Sequence, residues 1–175
     1  MTTPVELIDS HCHLEPKDFP EDRDAVMTRA REGGLVGMIC VGSGATLAEP
    51  ANAVALAERN GDVWAAVGIH PHDVARMPDG ALDELERLAT SHPRVVAVGE
   101  TGLDYHYDHS PRPAQKDGLR AFIGIARRAQ KPLQLHIRDA HDDALAICAE
   151  ERASEVGGSV HCFTGTVDEA ERWLE

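Results

Sequence analysis

The chain has 175 residues, 42% hydrophobic and 27% charged, which is enough to enclose a core as one globular domain. It has no apolar run near the roughly 20 residues that span a bilayer, so no membrane-spanning helix is expected. A formal net charge of -13 excludes a protein that grips nucleic acid through a broad basic face, because counterion release from phosphates requires clustered Lys and Arg. The opening MTTPVELIDS lacks a basic region followed by an apolar stretch, so a cytoplasmic location is expected, with Cys12, Cys40, Cys148 and Cys162 as reduced thiols.

The first predicted strand, residues 5 to 9, runs directly into His11, Cys12 and His13. Side chains alternate along extended backbone, so His11 and His13 face the same way, which suits two nitrogens on one ion. The alternative is a pair of surface histidines just past a strand end. A helix over 21–32 and a strand over 35–41 follow. The next helix, 46–59, contains ANAVALAERNG, whose composition predicts a helix with Gly61 as its C-cap. A strand over 63–69 leads to GIHPHD, with His70 and His72, and a helix over 79–91 comes next. The strand over 95–99 leads into VGETGLDY, which carries Glu100, Asp104 and Tyr105. After a helix over 113–129, the strand over 133–137 holds His136, with Arg138 two residues beyond it. The last units are a helix over 140–151, a strand over 158–161 ending in His161, and a helix over 166–174 that opens on a Thr166/Glu169 capping box. Acidity is densest from residue 139 onward, at positions that read as solvated helix faces.

These continuously apolar strands fit a parallel sheet buried on both faces, and a doubly wound sheet and a closed barrel both give the β-then-α rhythm. A dinucleotide-binding sheet would carry a glycine fingerprint after its first strand, and none follows Ile8. Candidate ligands instead recur at the C-terminal ends of the strands, the rim on which (β/α) barrels carry their sites. Imidazoles and a carboxylate converging there predict a site for a divalent ion such as zinc or manganese.

The motifs DSHCHL, GIHPHD, VGETGLDY, LHIRDA and HCFTGT, in this order, resemble the TatD family of metal-dependent deoxyribonucleases, among the amidohydrolase-like metal hydrolases. The resemblance runs from Ile8 to about Thr166. It implies an α/β, TIM-like (β/α) barrel with about six of the eight β/α units in this chain. It also implies hydrolysis of DNA phosphodiester bonds with one or two divalent ions (zinc, manganese or magnesium). It places His11 and His13 on the first ion, Glu100 between the two, and His136 and His161 on the second. A carboxylate has two oxygens and can bridge cations about 3.5–4 Å apart, as an imidazole cannot.

His70, immediately at its strand end, is expected to contact substrate or transfer a proton, whereas His72 and Asp73 could cap a turn. Arg138 could clamp a phosphate, although Asp139 beside it also fits a helix start. Asp104 and Tyr105 resemble family residues near the substrate, with loop orientation as the alternative for Asp104. His92, His106, His109 and His141 are expected at the surface. The family pattern continues with further strands and an Asp in a T-D-A-P-like sequence that completes the first metal site. With the sequence ending at Glu175 inside the sixth helix, the expectation is a single hydrolase domain truncated at its C-terminus. Its open edge strands would invite self-association. Two other readings stand beside the nuclease: a related amidohydrolase acting on an amide or other ester, where a lysine bridge would be expected in place of Glu100, and an inactive metal-binding fragment.

Overall fold

A computed structural model describes residues 6–175; Val5, the first residue of the predicted first strand, lies outside the described residues. Strands and helices alternate as β1 (Leu7–Cys12), α1 (Arg23–Glu32), β2 (Leu35–Ser43), α2 (Ala48–Arg59), β3 (Val63–Gly68), α3 (Ala81–Ser91), β4 (Val95–Asp104), α4 (Arg112–Ala129), β5 (Leu133–Arg138), α5 (His141–Glu150), β6 (Gly158–Val160) and α6 (Val167–Leu174). The sheet order is β1-β2-β3-β4-β5-β6, with every neighbouring pair parallel. Strands added in chain order without a reversal wind in one direction, as in a (β/α) barrel, whereas a doubly wound sheet reverses at its switch point.

The sheet is strongly curled. Gln134 in β5 donates from Nε2 to the Ser10 carbonyl of β1 at 2.6 Å, and the ring of His11 stacks on that of His161, just past β6, with centroids 4.0 Å apart. In a flat sheet β1 and β5 would be separated by four strand spacings, about 19 Å. The architecture is therefore a partial TIM-like barrel.

Two faces of apolar side chains alternate with the period of the strands. One packs Met38, Cys40, Ala65, Val67, Val95 and Leu133 against Met27, Leu56, Leu85, Leu119 and Phe122 of the helices. The other, formed by Val41, Ala66 and Ala97 with Ile39, lines the concave side. The expectation of strands buried on both faces holds for β3, β4 and β5 and fails for β1 and β6, which have one neighbour each: Ile8 is 65% exposed.

Two local expectations are corrected. Gly61 is not the C-cap of α2; the helix stops at Arg59, Asn60 turns extended (φ -131°), and its Nδ2 donates to the Leu56 carbonyl at 2.9 Å. His141 is buried rather than at the surface, accepting a hydrogen bond at Nδ1 from Trp173 Nε1 at 3.1 Å, which docks α6 on α5. The capping box at Thr166 and Glu169 forms as expected. Among the described residues no helix is long and apolar enough to cross a membrane.

Candidate metal centre

Glu100 owes its position to a bulge. β4 pairs Gly99 with Gln134 and Thr101 with Leu135 of β5, so Glu100 has no partner in the ladder and its side chain is re-aimed at the mouth of the barrel. The flanking Gly102 has φ +147°, and a Cβ there would collide with the carbonyl oxygen of His136. Only glycine lets β5 approach this closely, so the motif GETG brings the carboxylate and the histidine of the next strand together.

Around Glu100, itself 3% exposed, the imidazoles divide between its two oxygens. Oε1 lies 2.5 Å from His161 Nε2, 3.1 Å from His136 Nδ1 and 3.5 Å from His70 Nε2. Oε2 lies 3.7 Å from His13 Nε2, 3.8 Å from His11 Nε2 and 3.4 Å from Ser43 Oγ. His11 and His13 bring their Nε2 atoms to 3.3 Å, and His136 Nδ1 stands 3.3 Å from His161 Nε2. Donor atoms of His11, Glu100 and His161 lie within 4.8 Å of one another, as do those of His70, His72 and His136. His11 Nδ1 is buried without a hydrogen-bond partner. The structure thus brings His11, His13, His70, Glu100, His136 and His161 into one cluster. Ser43 joins them although nothing in its apolar surroundings in the sequence marks it.

The protonation states suit a cation. Burial opposes ionisation of Glu100, but hydrogen bonds from His136, His161 and His70 outweigh it and hold the carboxyl well below its ordinary range. Burial, reinforced by His161 and only partly offset by Glu100, pushes His11 down to about 4. His70 is lowered by burial against the pull of Glu100. Burial opposes protonation of His136, but its hydrogen bonds to Glu100 and Asp104 outweigh it and raise this imidazole, so an ion would have to displace a proton there. An ionised carboxylate ringed by imidazoles is nonetheless a donor set that suits a divalent ion, and these residues fit one.

Behind the cluster sits Asp104, which is 0% exposed. Its Oδ2 accepts from His136 Nε2 at 2.9 Å and from His72 Nε2 at 2.8 Å, while Oδ1 accepts the main-chain N–H of His106 (3.0 Å) and Tyr107 (2.9 Å). Burial resists its ionisation, yet the Tyr107 amide and the two imidazoles keep its carboxyl below the usual range. Gln115 of α4 fixes its backbone, accepting from the Asp104 N–H at 2.7 Å and donating to its carbonyl at 3.1 Å. An ionised carboxylate only accepts, so His136 carries a proton on Nε2, and an ion held at Nδ1 would take the place of the proton that this atom shares with Glu100. Every hydrogen-bonding position of Asp104 is occupied by protein in this structure, which places it behind the imidazoles. Sequence spacing gave no sign of its link to His72, which is a partner of this carboxylate rather than a turn cap.

Tyr105, in the turn just past β4, is engaged by protein: its hydroxyl donates to Asp143 of α5 at 2.6 Å and its ring lies 4.1 Å from the Arg112 guanidinium. Arg138, half-buried at the end of β5, packs over the Tyr107 ring at 4.8 Å rather than against a carboxylate.

The chain resembles known proteins in sequence and in shape. Residues 8–175 match the family described as TatD related DNase. The chain is 36% identical over 169 residues to the uncharacterized metal-dependent hydrolase YabD of Bacillus subtilis, covering 97% of this chain and 65% of that protein. It is 37% identical over 168 residues to the 3'-5' ssDNA/RNA exonuclease TatD of Enterobacter lignolyticus, covering 96% and 64%. The crystal structure of the TatD homologue YJJV from Escherichia coli superposes with a TM-score of 0.87 at 32% identity, over 95% of this chain and 64% of that one. The chain thus spans just under two thirds of the length of these relatives. With the family match running from the end of the described N-terminus through every strand-end motif of the cluster, the chain belongs to the TatD related DNase family.

Proposed function

We propose that the protein is a divalent-metal-dependent hydrolase of phosphodiester bonds in single-stranded nucleic acid, with residues 6–175 forming one hydrolase unit. The observation that carries this reading is the division of imidazoles between the two oxygens of Glu100, with His11 and His13 beside Oε2 and His136 and His161 beside Oε1. His11 and His13 would hold one ion, His136 and His161 a second, and Glu100 would touch both; zinc, manganese and magnesium are the candidates. Bound ions would supply an activated water and neutralise charge on the phosphate.

The chain's own groups do the rest. Asp104 fixes the tautomer of His136. His70 accepts the main-chain N–H of His72 at Nδ1 (3.2 Å), so its Nε2 carries the proton and offers a hydrogen bond to the leaving oxygen. Arg138 presents a planar fork to the non-bridging phosphate oxygens. The names of the relatives, 3'-5' ssDNA/RNA exonuclease among them, support a nucleic acid as substrate. The test is metal-stripped protein resupplied with manganese, magnesium or zinc and offered single-stranded DNA, single-stranded RNA and an amide reporter. Metal-dependent hydrolysis of a strand, lost in Glu100→Gln, is expected; hydrolysis of the amide alone would overturn the reading.

A further inference from the structure

The chain of rings does not stop at the metal centre. His72 meets His70 at 4.3 Å and His136 at 5.9 Å, and on its far side meets Tyr107 at 5.5 Å and His109 at 4.7 Å, all close to edge-to-face. Tyr107 and His109 lie nearly parallel, 8° apart, with centroids separated by 5.5 Å. Rings in full face-to-face contact would be about 3.5 Å apart, so these two are offset and part of each face is left uncovered. Tyr107 is 51% exposed.

This rim is firmly held. The Tyr107 and His106 amides are anchored on Asp104, and Ser110 Oγ donates to the His72 carbonyl at 2.9 Å while accepting the Ala75 N–H at 3.2 Å. An exposed tyrosine is thus kept in place by the same carboxylate that orients His136, two ring contacts from Glu100. The Arg138 guanidinium packs over its ring, 4.8 Å from the centroid, so the open area of this pair is the part of the Tyr107 and His109 faces that the guanidinium and the offset leave uncovered.

Charge adds an independent argument. With a net charge of -13, the protein gains little from general attraction to phosphates, so a bound strand needs a source of affinity that is not electrostatic. Stacking of bases on aromatic side chains is such a source, and it tolerates any sequence because every base has a π-face.

We propose that Tyr107 and His109, with Arg138 beside them, form a base-stacking subsite that seats an unpaired nucleobase next to the scissile phosphodiester. This rests on the nuclease reading above and assigns a residue-level reason for single-stranded substrates: in a duplex both faces of a base are already covered.

The experiment compares binding of two fluorescent single strands of equal length, oligothymidylate and the same strand made of abasic residues, by anisotropy in the presence of calcium. The two share phosphates and differ in bases. The wild-type protein is expected to bind the base-bearing strand about 5- to 150-fold more tightly, the equivalent of about 1–3 kcal/mol for a stacked base. Tyr107→Phe should keep that ratio, and Tyr107→Leu and His109→Ala should each reduce it towards unity. Both positions are exposed, so folding is not at stake. If the wild type binds both strands equally, or if Tyr107→Leu keeps the full ratio, the subsite does not exist and the nuclease reading stands. If neither strand binds, both fall together.

Discussion

Replacing Asp104 by Asn is the sharpest test of how the centre is built. The carboxylate accepts four hydrogen bonds, two from main-chain amides at Oδ1 and two from His72 and His136 at Oδ2. The amides cannot become acceptors, so the Asn oxygen must stay with them and its NH2 must face the imidazoles. His136 can accept that N–H only by moving its own proton from Nε2 to Nδ1, the atom 3.1 Å from Glu100 and the one that would hold an ion. Changes to groups that orient metal-ligating histidines typically cost 10- to 100-fold in metal affinity, or about 1.4–2.7 kcal/mol. Isothermal titration of manganese into stripped Asp104→Asn should show that loss, with urea unfolding confirming that the protein remains folded. A folded Asp104→Asn protein that binds manganese as tightly as wild type would refute the tautomer argument.

Three further outcomes follow from the same geometry. In the metal-free protein His11 titrates at about 4 and His70 is also lowered, against about 6.5 in an unfolded chain, so the unfolded state binds more protons between those limits. Stability should therefore fall as pH drops from about 6.5 to 4, by up to about 1.4 kcal/mol per pH unit from His11, with His70 acting in the same direction, and urea midpoints in EDTA should show a slope that His11→Gln reduces. Arg138→Ala should raise KM for a single strand about 10-fold while leaving metal content unchanged; loss of metal would instead make Arg138 part of the scaffold. Gly102→Ala forces a Cβ against the His136 carbonyl at φ +147° and should destabilise the protein by roughly 2–6 kcal/mol, so a wild-type urea midpoint would contradict the close approach of β4 and β5.

Much of the architecture is legible in the sequence because continuous apolar runs and amphipathic helices are local signals. Each of the strands and helices falls within a few residues of its expected place, the exception being β4, expected over 95–99, which continues through GETGLD to Asp104. The clustering of His11, His13, Glu100, His136 and His161 could be anticipated because a barrel gathers its strand ends. What could not be read was whatever depends on side chains meeting across loops. Asp104 and His72 are 32 residues apart, and their contact is decided by the path of the segment after β3. His141 is buried because Trp173 and Phe163 pack onto it from well along the chain, and the exposure of β1 reflects its pairing with β2 on one side, which its own residues cannot reveal.

The curl of the sheet bears on how the protein assembles. Successive strands can pair as each emerges next to the last, but the Gln134 to Ser10 hydrogen bond joins residues 124 apart, and the stacking of His11 on His161 spans still more of the chain. Contacts at such separation carry a large loop-closure cost and form after local ones. Glu100, His136 and His161 come together from three consecutive strand ends, whereas His11 and His13 join them only once the first strand has swung round to the fifth and sixth. An ion that requires His11 binds the curled sheet alone and stabilises it by an amount that grows with the logarithm of its concentration. Its uptake would work as a latch on the curl, so that the rate of metal capture by a refolding chain reports the moment at which the first strand end reaches the fifth and sixth.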